Sequence, residues 1–191
     1  MNDILLRLYA REAGLRGLVC DTTELAAEAA RRHEATPMAA AVLADGLTAA
    51  ALLGALLKVQ QRVALKIEAD GPLRKLVAEA DAYGRVRGYL AEPGLAWPLP
   101  IDPAAQARAL GHDGLLTIVK DLGLRDLYHG AVALQGGDIG ASLLHYFHKS
   151  EQAPTLARLD AALDSEGGLV AAGGLLFQPL PGVDPAILAR L

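Results

Sequence analysis

Cysteine is nearly missing from this 191-residue sequence: Cys20 is the only one. A lone thiol excludes an internal disulfide and cannot by itself build a zinc site. Placed in an apolar run from Leu15, it reads as a small buried hydrophobe on a strand. Aromatic residues make up only 4% of the chain although apolar residues reach 52%, so the core must be aliphatic and rich in alanine. Basic charge is not in excess, with 18 Lys and Arg against 22 Asp and Glu for a net charge of −4. No run of five like charges occurs, which argues against a nucleic-acid partner. The opening MNDILLRLYAREAG interrupts its apolar residues with Asp3, Arg7, Arg11 and Glu12 and so lacks the h-region of a signal peptide. A cytoplasmic location is expected. Nucleotide loops of the G-x-x-x-x-G-K-[ST] or G-x-G-x-x-G type and a G-x-S-x-G elbow are absent, and His33-Glu34 runs into Ala-Thr-Pro instead of completing H-E-x-x-H.

The chain is organised around Met38 to Leu57, where Asp45 and Thr48 are the only polar side chains. A helix without a polar face must be surrounded by protein or lipid. At about 1.5 Å per residue this one would be roughly 30 Å long. Protein is the better surroundings, because Asp45 at a bilayer centre would cost about 2.5–3.5 kcal/mol and because alanine contributes little to transfer. The alanines instead let other layers approach the helix axis, which suits a helix between sheets. Thr36 as N-cap, Pro37 at the first helical position and Lys58 at the end mark its limits.

Around this helix the pattern predicts an α+β fold: antiparallel sheets layered on a buried central helix. Ile4 to Ala10 is a short helix or strand and Leu15 to Cys20 a strand. Asp21 or Thr22 then starts a helix reaching about His33. Val63, Leu65, Ile67 and Ala69 alternate with Arg62, Ala64, Lys66 and Glu68, the pattern of a half-buried strand. Lys75 to Asp81 and Arg85 to Ala91 follow after short turns, which makes an antiparallel meander. Glu92 to Ala109, with four prolines around Trp97, reads as a long surface loop. Strands are expected at Leu115 to Lys120 and Asp126 to Leu134, a helix capped by Asp138 from Ile139 to Lys149, and strands at Pro154 to Ala161 and Leu169 to Gln178. The pair Gly173-Gly174 marks a bulge or a close backbone approach in the last strand. Asp184-Pro185 begins a helix too short to stand alone. Residues 1–182 are thus read as one core domain and 183–191 as the start of a helix that belongs to a linker.

Two weak constellations could carry chemistry. His145 and His148 share a helical face and could offer two metal nitrogens, but no acidic or thiol partner lies nearby. Ser150 could serve as a nucleophile but has no recognisable base. Solvated or capping roles fit these residues better, with a small metal-dependent or serine hydrolase as the alternative function.

Three blocks go further: LKIEADGPLRKLVAEADAYGRVRGYL (Leu65 to Leu90), YFHKSEQAPT (Tyr146 to Thr155) and AAGGLLFQPLPG (Ala171 to Gly182). In this order they resemble the signature blocks of the bacterial thirty-three-kilodalton heat-shock chaperones, and DTTELAAEAARRH and LLGALLK match as well. The resemblance implies an ATP-independent holdase, a non-enzyme that binds unfolding client proteins under oxidative or heat stress. It also implies a homodimer, possibly with exchanged elements, and no membrane partner. In that family zinc is held by a C-terminal four-cysteine switch, and Cys20 matches none of its positions, so no cofactor is expected in this chain. Client binding is expected on the outer face of one sheet, which alternation alone does not assign to named residues.

Overall fold

The computed structural model describes residues 3–191. Two antiparallel sheets enclose one helix. In chain order, β1 (Ile4–Ala10) and β2 (Leu15–Asp21) form a hairpin, followed by α1 (Thr23–Arg32) and the central α2 (Pro37–Ala55). Strands β3 (Arg62–Ala69), β4 (Lys75–Asp81) and β5 (Val86–Leu90) make the expected meander. After α3 (Pro103–Leu110) come β6 (Gly114–Asp121) and β7 (Tyr128–Ala133), which extend the meander from its β3 edge. The order of this five-stranded sheet is β5-β4-β3-β6-β7. Helix α4 (Ile139–Tyr146) passes into a π turn over Phe147–Glu151, then β8 (Leu156–Leu163) and β9 (Leu169–Pro179) join the first hairpin in a four-stranded sheet of order β1-β2-β9-β8. A 3-10 turn over Pro185–Arg190 lies beside β9.

Helix α2 lies between the sheets, against β3, β4 and β5 on one side and β2, β8 and β9 on the other. Every residue from Met38 to Leu53 except Asp45 is buried. The helix is long and apolar enough to cross a membrane, but the fold itself covers it. Alternation in the strands supplies the cover. Val63, Leu65 and Ile67 of β3, Leu76 and Ala78 of β4, and Leu116 and Ile118 of β6 all point inward from the larger sheet. Leu18, Cys20, Leu176 and Ala157 do the same from the smaller one. Small residues set the spacing. A Cβ on Gly46 would stand 2.7 Å from both methyl carbons of Leu76, and one on Gly54 would stand 2.9 Å from the Asp81 carbonyl oxygen. On the opposite side Gly174 abuts Thr48, so the close approach expected from the glycine pair is real, while the register shift falls instead at Ala162/Leu163.

Several local expectations change on contact with tertiary structure. Thr22 is at the N-cap of α1 but makes no capping bond; its hydroxyl lies 2.6 Å from that of Thr48, which in turn donates to the Ala44 carbonyl at 2.8 Å. The free N–H groups of α1 are met by Asp3, whose carboxylate accepts from Glu24 and Leu25, each at 2.8 Å. The Thr36 hydroxyl likewise goes to the Leu95 carbonyl, at 2.6 Å. Helix α2 ends at Ala55, before Lys58. The supposed loop from Glu92 to Ala109 contains α3. Asp102 accepts from the Ala105 amide at 2.6 Å and Pro103 occupies the first turn, so this proline starts a helix instead of continuing the expected loop. The helix expected to reach Lys149 stays α-helical only to Tyr146 and then widens to a π turn. There the Tyr146 hydroxyl donates to Glu151 at 2.6 Å, and Glu151 also pairs with Lys120. Burial and the Glu151 hydrogen bond push the Tyr146 hydroxyl well above the usual phenol range. The last turn is not loose either: Ile187 and Leu188 are half-buried, and Val183 packs over Gly14.

The two α2 glycines oppose helix propensity to packing. Alanine in a helix is favoured over glycine by about 0.5–1 kcal/mol, whereas overfilling a packed core costs about 1–3 kcal/mol. Gly46→Ala should therefore lower the urea midpoint. Gly54→Ala should lower it more, because a backbone carbonyl cannot turn aside as a leucine side chain can. A midpoint raised by either substitution would mean that the sheets are not held this close.

Candidate functional site

The two sheets have unlike outer faces. On the five-stranded sheet the outward row carries Arg62, Lys66 and Glu68 of β3, Lys75 and Glu79 of β4, and Arg87 of β5. These charges are paired, across strands from Arg87 to Glu79 at 2.5 Å and from Lys75 to Glu68 at 3.8 Å, and along β3 from Lys66 to Glu68 at 2.6 Å. Apolar side chains also stand on this face, Tyr89 at 43% and Leu115 at 53% exposed together with Val77 and Val119, but the charges interrupt them, so they form no continuous apolar row.

The four-stranded sheet is different. Its register aligns Leu6 with Val19 and Val19 with Leu175, and aligns Leu8 with Gly17 and Gly17 with Phe177. Ile4 and Leu156 lie on the same face. The outward row is thus Ile4, Leu6, Leu8, Val19, Leu175, Phe177 and Leu156, with charge at its margins, Asp21 opposite Ile4 and Arg158 and Asp160 on the β8 edge. The β1 members are the most open, at 51% for Ile4, 51% for Leu6 and 44% for Leu8. Gly17 is small because the Phe177 ring lies across it, so that a Cβ there would come within 2.5 Å of the ring. An aromatic ring and six branched aliphatic side chains held on a rigid sheet form a surface that gains free energy whenever apolar groups cover it, at about 25 cal/mol per Å² removed from water.

The residues singled out for catalysis do not gather. His145 is half-buried near the end of α4, His148 is exposed in the π turn, and Ser150 lies behind Gly130. Among the described residues neither histidine hydrogen-bonds to Ser150, and no group of three His, Cys, Asp or Glu is placed to hold a metal. The zinc that the resemblance attaches to a four-cysteine module has no fit here. Cys20 is alone and buried on the inner face of β2. Burial pushes its thiol up to about 11 against a modest opposing hydrogen bond from Gly174.

The apolar face escaped the sequence reading for a physical reason. β9 carries a leucine on each face, Leu175 outward and Leu176 inward, and β1 has Leu5 on the row opposite Ile4, Leu6 and Leu8, so alternation does not tell inside from outside until pairing and the position of α2 are known. One signal was available: in Ile4 to Ala10 the i, i+2, i+4 set Ile4, Leu6, Leu8 is entirely aliphatic, whereas the other row includes Arg7.

Comparison with known proteins agrees with this architecture. The family model described as Hsp33 protein matches residues 3–191. The 33 kDa chaperonin of Geobacter sp. strain M21 is 42% identical over 191 residues, which are 100% of this chain and 65% of that protein. The 33 kDa chaperonin of Bacillus licheniformis is 38% identical over 190 residues, 99% of this chain and 66% of that protein. The chain thus spans about two thirds of the length of the relatives it matches. In three dimensions it is similar to the crystal structure of the 33 kDa chaperonin of Thermotoga maritima, with a TM-score of 0.81 and 32% identity, covering 93% of this chain and 60% of that one. With nearly every residue matched to one family and the two sheets around α2 superposing on a solved member, the chain belongs to the Hsp33 family.

Proposed function

We propose that the protein is an ATP-independent holdase that captures partly unfolded proteins on the outer face of its four-stranded sheet. The observation that carries this reading is the row Ile4, Leu6, Leu8, Val19, Leu175 and Phe177, set against the ion-laced face of the other sheet. Family membership supports a chaperone, and the names of the relatives say chaperonin. An unfolded chain offers apolar side chains in no fixed pattern, and a flat aliphatic sheet face accepts them without demanding one. Binding of this kind needs neither a nucleotide nor a catalytic group. The protein acts in the cytoplasm, as the family's heat-shock role implies, and its partners are unfolding clients and a second copy of itself, without nucleic acid or membrane. Exchange of elements is not required for folding, since both sheets close within one chain.

The test is light scattering from a thermolabile enzyme warmed without nucleotide at near-stoichiometric protein. The protein should suppress the rise. Leu6→Lys, at a half-exposed position, should weaken suppression several-fold with little change in melting, while Tyr89→Lys on the outer face of the five-stranded sheet should not. Equal effects of the two substitutions, or no suppression at all, would contradict the reading.

We further propose that these residues alone contain no redox switch and take up no zinc. Cys20 is buried, and its ionisation is suppressed about a hundredfold by the shift from 9.0 to about 11. Client binding should be the same in dithiothreitol and in peroxide, Cys20→Ser should leave it unchanged, and alkylation of the native thiol should run roughly a hundredfold slower than that of a free cysteine. A several-fold rise in binding on oxidation that disappears in Cys20→Ser would overturn this.

A further inference from the structure

Asp45 is the one polar residue of α2 that the fold does not satisfy. Thr48, one turn on, is bonded on both sides, whereas Asp45 Oδ1 is buried and, among the described residues, without a hydrogen-bond partner. It borders a cavity of about 80 Å³ where four elements meet: Val42 of α2, Gln106 and Leu110 of α3, the turn Gly137–Gly140 that starts α4, and Asp160 of β8. A cavity of this size and polarity has room for water. The charged groups acting on Asp45 are Asp138 from the start of α4 and Asp160, exposed on the β8 edge at the border of the cavity, both acidic, and α3 presents the neutral Gln106. Among these groups there is no cation to pair with the carboxylate.

The walls of the cavity differ in how firmly they are held. The far end of α3 is pinned, with the Leu73 amide donating to the Ala109 carbonyl at 3.0 Å and Gly137 packed against the Ala107 carbonyl. Toward the core α3 contributes Ala105, Ala109 and Leu110, which are buried in the same apolar cluster as α2. We propose that Asp45 makes this cleft a proton-controlled clasp: protonated, its neutral carboxyl lets α3 and the Gly137–Gly140 turn close on α2, and ionised, it draws water into the cleft and loosens α3.

Burial, and then repulsion from Asp160 and Asp138, raises the Asp45 carboxyl from 3.8 to about 7. The sign follows from linkage. Below about pH 4 the carboxyl is protonated whether the clasp is open or closed, and above about 7 it is ionised in both. Between these limits only the closed form keeps the proton, so closure weakens as pH rises through this window and then levels off.

Amide hydrogen exchange of the intact chain from pH 5 to 8, corrected for base catalysis, reads the clasp directly. Opening of α3 should increase by up to about tenfold per pH unit between pH 5 and 7 and flatten above roughly 7.5. The β3 amides of Leu65 and Ile67 should not follow, and Asp45→Asn should abolish the dependence. A dependence that survives in Asp45→Asn, a flat profile in the wild type, or β3 moving in parallel with α3 would overturn the proposal. Carboxyl carbon-13 titration of the wild type stands even if the variant folds poorly: a midpoint near 7 is expected, and a midpoint below 5 rules the clasp out.

Discussion

Burial of α2 is the constraint on which the rest of the structure depends. A helix of nineteen residues with apolar side chains on every side gains most when it is removed from water all round, and no single layer can do that. Two sheets are therefore needed, and the chain supplies them as a meander extended by β6 and β7 and as two hairpins brought together from its opposite ends. The closeness of both layers follows from small residues at the contacts, Gly46 and Gly54 on one side and Gly174 on the other. Thr22 and Thr48 satisfy each other within the layer that would otherwise strand them.

Sheathing one helix with two sheets creates two outer faces, and here the composition decides their fates. The five-stranded sheet breaks up its outer face with ion pairs such as Arg87–Glu79 and Lys75–Glu68. Such exposed pairs add only about 0–1 kcal/mol each, but they keep that face wet. The four-stranded sheet leaves leucine, valine and phenylalanine outward next to an unpaired edge at β1. Edges and faces of this kind are ordinarily blunted because they adhere to other chains, and a chaperone is a protein for which such adhesion is the function. The proposed holdase role would require the protein to stay folded under conditions that unfold other proteins, which the doubly covered α2 favours.

Much of this was legible in the sequence. The all-round apolar run at Met38 to Leu57, the period-two pattern from Arg62 to Ala69 and the cap-and-proline start at Asp184-Pro185 each state a local rule that the fold obeys. What was not legible depends on partners distant in the chain. Asp3 caps a helix that begins twenty residues later, and Thr22 abandons its cap for Thr48. Pro103 has the local signature of a loop, and only the Asp102 cap on the Ala105 amide makes it the first turn of α3. The outer face of the smaller sheet needed the pairing of β2 with β9, which are separated by most of the chain. Asp45 stood out in the sequence as a single charge in an apolar helix, but its two acidic neighbours come from α4 and β8, and no local pattern announces them.

The central claim is that apolar clients meet one sheet and avoid the other, and methyl NMR on the intact chain with an unfolded client tests it most directly. Addition of the client should broaden or shift the methyl signals of Ile4, Leu6, Leu8, Val19 and Leu175, while Val77, Leu115 and Val119 on the outer face of the five-stranded sheet keep their positions. Perturbation confined to the second group, or spread evenly over both, would contradict the account.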